Sequence, residues 1–178
     1  MKRSGTLAVA VGCLALGAGM GLMAKSVTGP GIEALRGVPA KDAGMIALQA
    51  AEKLAGKGSW ELISVGRVYY LTGDKTTGEA IFGRVINAKP EGSDWQRIGE
   101  VYAEAGENAK AQDAFDKMLS VSPKDDTGWS EVGAFYIRTG QREKGEELTA
   151  KALAKNPDDY GHYLRYADEI IARLDELG

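Results

Sequence analysis

From residue 41 onward, apolar residues recur three and four places apart, the spacing that gathers side chains on one face of a helix. The stretch WQRIGEVYAEAG at 95–106 shows it most plainly: Trp95, Ile98, Gly99, Tyr102 and Gly106 follow one another at intervals of 3, 1, 3 and 4. A second stripe over 158–177 is made by Leu164, Ala167, Ile170, Ile171, Leu174 and Leu177, with Glu169 and Arg173 spaced to pair one turn apart. Ala, Leu, Glu, Lys and Gln are frequent here and β-branched runs are scarce, which favours helix. The pattern predicts an all-α domain, nearly continuous helix broken by short turns. Residues 25–40 differ: Gly29-Pro30-Gly31 and Pro39 mark a linker with at most a turn of helix near 32–35. One local choice conflicts with the rest. Gly99 sits inside a helical face, where glycine costs about 1 kcal/mol relative to alanine.

The N-terminal 26 residues are a third regime. Lys2 and Arg3 open the chain, no charge follows from Ser4 to Ala24, and residues 7–24 are apolar throughout. This is the layout of a signal peptide or a transmembrane signal anchor over 1–24. The basic start keeps the N-terminus cytoplasmic and sends the remainder across the membrane, so we expect an exported protein: periplasmic, or anchored in the inner membrane and facing the periplasm if bacterial. Cleavage sites of modest quality follow Ala24 and Ser26. Ala10-Val11-Gly12-Cys13 is a poor lipoprotein box, lacking leucine three residues before the cysteine and running on into apolar sequence. Gly17 and Gly21 would let two membrane helices approach closely. The same glycines make no nucleotide loop, because no strand–turn–helix context surrounds them.

The conflict at Gly99 resolves when the chain is compared with itself. WQRIGEVYAEAG aligns with WSEVGAFYIRTG at 129–140: Trp95 with Trp129, Gly99 with Gly133, Tyr102 with Tyr136 and Gly106 with Gly140, each 34 apart, and Pro123 stands 34 before Pro157. A third copy lies upstream. Gly66, Tyr69, Gly73, Phe82 and Pro90 each stand 33 before Gly99, Tyr102, Gly106, Phe115 and Pro123. Leu62, not Trp60, then fills the tryptophan slot, and the missing residue falls in the turn PEGSDW. Repeats of this period signal stacked helix pairs.

The three copies resemble the tetratricopeptide repeat, a 34-residue helix–turn–helix. Its pattern is carried by Trp95, Ile98-Gly99, Tyr102, Gly106, Ala111, Phe115 and Pro123, with Met118 in the last alanine slot. The first copy has Leu62, Val65-Gly66, Tyr69, Gly73, Phe82 and Pro90, with Gly78 and Val85 in alanine slots; the third has Trp129, Val132-Gly133, Tyr136, Gly140, Ala152 and Pro157 and departs at Gly145 and Thr149. The resemblance implies a right-handed α-solenoid over 41–178, with repeats at about 59–91, 92–125 and 126–159. Helix A of each would span about 59–72, 93–105 and 126–139, and helix B about 75–88, 108–121 and 142–155. A half-repeat helix at about 42–55, capped by Asp42, and a cap helix at 158–177 would shield the ends.

Charge and composition narrow the function. Removing Lys2 and Arg3 from the whole-chain charge of −3 leaves −5 for residues 25–178, with no basic cluster, so we expect no nucleic-acid partner. The single cysteine, Cys13, lies in the apolar segment, which leaves the folded domain without disulfides or Cys-based metal sites. His162 is the lone histidine and reads as a surface or packing residue. Asp125-Asp126 and Asp158-Asp159 follow the repeat prolines and read as helix caps or first-turn acids. We therefore expect no enzyme, no cofactor and no metal.

In the family that the repeats resemble, A helices line a groove that holds a partner. Carried over position by position, that groove comprises Trp60, Ile63, Ser64, Arg67, Tyr70 and Leu71, then Gln96, Arg97, Glu100 and Glu104, then Ser130, Glu131, Ala134, Ile137 and Arg138. Trp60, free of the core slot, is either an anchor for a ligand or a residue packed under the preceding helix. Ile63 and Arg67 stand where some members carry a carboxylate clamp, so an acidic C-terminal tail is a poor fit. The expected function is a protein–protein interaction scaffold of the cell envelope, acting as an assembly factor on a peptide, helix or folded partner. The alternative is a self-associating, membrane-anchored scaffold, a homo-oligomer built through the groove or through Gly17 and Gly21.

Overall fold

A computed structural model describes residues 28–173. Among these it contains a short 3-10 turn, Ile32–Ala34, and eight α-helices: α1 Ala40–Ala55, α2 Ser59–Leu71, α3 Lys75–Ile86, α4 Gly92–Glu104, α5 Asn108–Val121, α6 Asp126–Arg138, α7 Arg142–Lys155 and α8 Tyr160–Ile171. The apolar segment with its signal or anchor reading, and Leu174 and Leu177, lie outside the described residues. No helix among those described is long and apolar enough to cross a membrane.

The helices pack in sequence as antiparallel pairs, α2 with α3, α4 with α5 and α6 with α7, and the pairs stack so that α2 meets α4 and α6 meets α8. The result is an all-α helical solenoid of repeated pairs. The turns explain the register. Helices α2, α4 and α6 are each followed within two residues by a glycine at positive φ: Gly73 (105°), Gly106 (74°) and Gly140 (86°). That left-handed conformation is strained for any residue with a Cβ, and it lets the chain close the helix with a Schellman turn. In α4 the Glu107 N–H donates to the Tyr102 carbonyl at 2.8 Å, and in α6 the Gln141 N–H donates to Tyr136 at 2.8 Å.

Gly99 answers for itself. A Cβ on it would lie 2.7 Å from the Phe115 ring of α5. Gly66 stands likewise 2.6 Å from the Phe82 ring, and in the third pair Gly133 and Gly145 bring the two backbones together, with no phenylalanine between them. The aromatic that needs the gap is thus replaced by Thr149, buried and bonded back to the Gly145 carbonyl at 3.0 Å. Around these crossings runs one apolar core, from Leu48 of α1 through Tyr70, Phe82, Ile98, Phe115 and Met118 to Val132 and Tyr136.

Two expectations at the ends need correction. Helix α1 begins at Ala40 with Pro39 at its N-cap and no side-chain cap, so Asp42 is a first-turn acid and not the cap. Proline has no N–H to satisfy and its fixed φ suits helix entry, which moves the start upstream. Helix α8 does not turn its apolar stripe inward. Leu164 and Ile171 are exposed, while buried His162 and half-buried Arg165, Tyr166 and Glu169 lie on the packed side. The Asp125 and Asp159 readings agree with the structure: each carboxylate accepts an N–H of its own helix's first turn, from Gly128 at 3.1 Å and Gly161 at 2.8 Å.

Candidate partner-binding face

Helices α2, α4, α6 and α8 present a row of polar side chains to one another. Arg67 donates Nε to Glu104 at 2.8 Å and a second guanidinium nitrogen to its other oxygen. Gln96 donates to Glu100 at 3.0 Å and also reaches Glu131. Glu131 accepts from Arg165 at 3.0 Å, and Arg138 donates to Glu169 at 2.8 Å. The Arg97 guanidinium stacks over the Trp60 ring with 3.8 Å to its centroid. Eight of the ten partner-binding residues read from sequence therefore form one ladder from α2 to α8: Trp60, Arg67, Gln96, Arg97, Glu100, Glu104, Glu131 and Arg138. Burial pushes the Glu131 carboxyl above its usual range, an effect that Arg165 opposes.

The other two are elsewhere. Ile63 and Tyr70 are 3% and 1% exposed and belong to the core, so neither offers a surface to a ligand. Tyr70 lies between Phe82 and Tyr102, with ring centroids 5.8 and 5.5 Å away, and its hydroxyl donates to Glu107 at 2.6 Å. Ser130 and Ile137, also read as groove positions, are buried as well.

Two concavities flank the ladder. One, of about 580 Å³, is lined by Ala51, Leu54 and Ala55 of α1, Trp60, Ser64 and Val65 of α2, and Arg97 of α4. Trp60 is 51% exposed there: it stands beside α1 without being covered by it. The second, of about 280 Å³, lies between α4, α6 and α8 among Glu100, Glu131, Arg138, Arg165, Asp168 and Glu169. Arg165 was missed in the sequence, although it stands 34 after Glu131, and Glu169, read there only as a partner for Arg173, accepts from Arg138. Extending the repeat into the last helix would have found Arg165. A tyrosine network was missed too. Tyr102 donates to Glu79 at 2.7 Å and Tyr136 to Asp116 at 2.7 Å, each tying a helix A to the preceding helix B.

Asp126, Asp159 and His162 converge at the other end of α6 and α8, with His162 Nε2 3.5 Å from Asp126 and 3.9 Å from Asp159. Lys155 donates to Asp126 at 2.8 Å, and both aspartates sit at helix N-termini. The ammonium and the two helix dipoles offset the carboxylates, leaving a tie between helices with little net charge to hold a cation.

The fold and this face define a class: a solenoid of repeated helix pairs whose A helices carry a continuous, accessible polar and aromatic surface. Compared with known proteins, the chain matches no family model and no curated protein.

Proposed function

We propose that this chain is a non-catalytic protein–protein interaction scaffold with repeats of tetratricopeptide type, exported or anchored by its N-terminal segment and acting in the cell envelope. The partner, a peptide, helix or protein surface of mixed apolar and charged character, lies along the A-helix face. The observation that carries this reading is Trp60, half exposed beneath Arg97 at the rim of an apolar concavity on a packed scaffold. Covering the remaining half of an indole, roughly 100 Å², is worth about 2.5 kcal/mol at ~25 cal/mol per Å². The exposed Arg67–Glu104 pair is worth about 0.2–1 kcal/mol, so a partner can exchange it at little cost. The aromatic, not the charges, supplies affinity; the charges supply register. The test is affinity capture from the native envelope with wild type and a Trp60→Ala/Arg97→Ala variant. Loss of a specific partner from the variant, with helicity unchanged by circular dichroism, is expected. Equal recovery from both would remove the site assignment.

A further inference from the structure

The two ends of the described array are complementary halves. Helix α1 occupies a B-helix position. Its Gly44, Ala47 and Ala51 stand at the places of Gly78, Ile81 and Val85 in α3, Ala111, Ala114 and Met118 in α5, and Gly145, Leu148 and Ala152 in α7. All nine of those residues are buried, whereas Gly44, Ala47 and Ala51 are exposed. A Cβ on Gly78 would lie 2.9 Å from Tyr70, and one on Gly145 2.5 Å from the Gly133 carbonyl; one on Gly44 would meet nothing within 4 Å. Helix α1 is held to α2 by Leu48, with Met45 and Ala55 packed beside it, and between the two opens the apolar concavity of about 580 Å³.

Helix α8 is the converse. It packs on α6 and touches α7 in the position of a fourth helix A, with Ala167 in the slot of Gly66, Gly99 and Gly133. Its Ile171 is 65% exposed where its counterpart Ile137 is 1%, and Leu164 is 61% exposed where its counterpart Ser130 is 1%. Tyr163 is open beside them. Ile137 is covered by its own helix B, since Gly145 meets it directly. The bare face of α8 is therefore shaped for a B helix and for the helix A that follows.

We infer that a second copy of this chain docks head to tail, its α1 and α2 standing to α8 as α7 and α8 stand to α6 within one chain. The A-helix position in the angle between α7 and α8 is filled by α6; the same angle between α1 and α2 is the open concavity. One interface thus covers Leu164, Tyr163 and Ile171 on one copy and Ala47, Ala51 and Leu54 on the other, and continues the core register. Such a heterologous contact builds a linear or ring assembly rather than a two-fold dimer. The inference concerns the array's ends and does not rest on the reading of the A-helix face, but a second copy's α8 would fill the concavity that Trp60 rims, so the two occupants exclude one another there; Trp60 is left unchanged in the test.

In the 34-residue register Ala47 and Ala167 are the counterparts of Leu148 and Gly133; a Cβ on Gly133 lies 3.4 Å from the Cβ of Leu148, about the separation a disulfide spans. Full chain bearing Ala47→Cys is mixed with full chain bearing Ala167→Cys, both on a Cys13→Ser background in mild detergent, and oxidised. A cross-linked dimer is expected only in the mixture, with yield at least fivefold above a control mixture of Lys151→Cys and Ala167→Cys. Adding Ile171→Glu to the Ala167→Cys chain should return the yield to the control level with circular dichroism unchanged, while Arg67→Ala should leave it intact. No cross-link above control, as when residues 1–27 or a different protein cover α1, overturns the inference. So does cross-linking of Ala167→Cys with itself, which would mean a two-fold contact through α8.

Discussion

Gly99 and Trp60 mark the two kinds of position that one helix face has to reconcile. Gly99 is constrained by the Phe115 ring 2.7 Å from where its Cβ would be. Gly99→Leu should therefore lower stability by about 1–3 kcal/mol or more through overpacking; an unchanged urea midpoint would contradict the repeat alignment. Trp60 and Tyr70, only ten residues apart on α2, give a sharper contrast. Tyr70→Ala opens a cavity in the core and should cost about 3 kcal/mol or more, as for other buried aromatics. Trp60→Ala removes a half-exposed ring and should cost about 1 kcal/mol or less. Similar losses at both sites, measured by chemical denaturation, would place Trp60 in the core. The glycines were legible in the sequence because a backbone approach admits only one residue type. Ile63 and Tyr70 were not, because a position on helix A says which neighbouring helix it faces but not whether that neighbour covers it.

Between elements, ties of charge and hydroxyl hold the order of the helices. Lys155 beside Asp126, with further help from the helix backbone and His162, keeps that carboxyl at about 2. Lys110, Lys75 and the Tyr70 hydroxyl keep Glu107 at about 2. Both values lie below the unfolded range of about 3.9–4.3. A depressed folded pKa gives stability that is fully present above the unfolded value and is lost as pH falls through the folded one. Stability should thus decline between about pH 4.5 and pH 2, and Lys155→Met should flatten part of that decline; urea midpoints across this range give the comparison. A slope the same in wild type and variant would deny the tie between α7 and the start of α6. The helix pairs themselves were readable from the 34-residue repeat, and the observed ends of α2 to α7 agree with it to within two residues. Helix α8 was misread because its stripe was judged by hydrophobicity alone. Its packed side carries His162, Arg165 and Glu169, polar residues that answer Asp126, Glu131 and Arg138 on α6. Pairing across helices is invisible to a pattern that scores one helix at a time.

At the scale of the whole molecule, a stack in which each pair touches only its neighbours has stability that varies along its length. The middle pair, α4 and α5, has neighbours on both sides, while α1 and α8 are each covered on one. Hydrogen exchange in dilute protein should therefore be fastest in α1 and α8 and slowest in α4 and α5; uniform protection would point to a single closed core instead. The same geometry explains why the array can present a long surface: the A helices are fixed from behind by their B partners, and the row from Arg67 to Arg138 runs along the front. Fold class was legible from the sequence because periodicity encodes it. The proposed partner was not, since a docking surface must stay exposed and so leaves little trace in a hydrophobic pattern. The most direct test of the central claim is hydrogen exchange on the complex captured from the native envelope. The account predicts added protection along α2, α4 and α6, strongest around Trp60 and Arg97. Protection confined to α3, α5 and α7 would show that the partner sits on the opposite face and would contradict it.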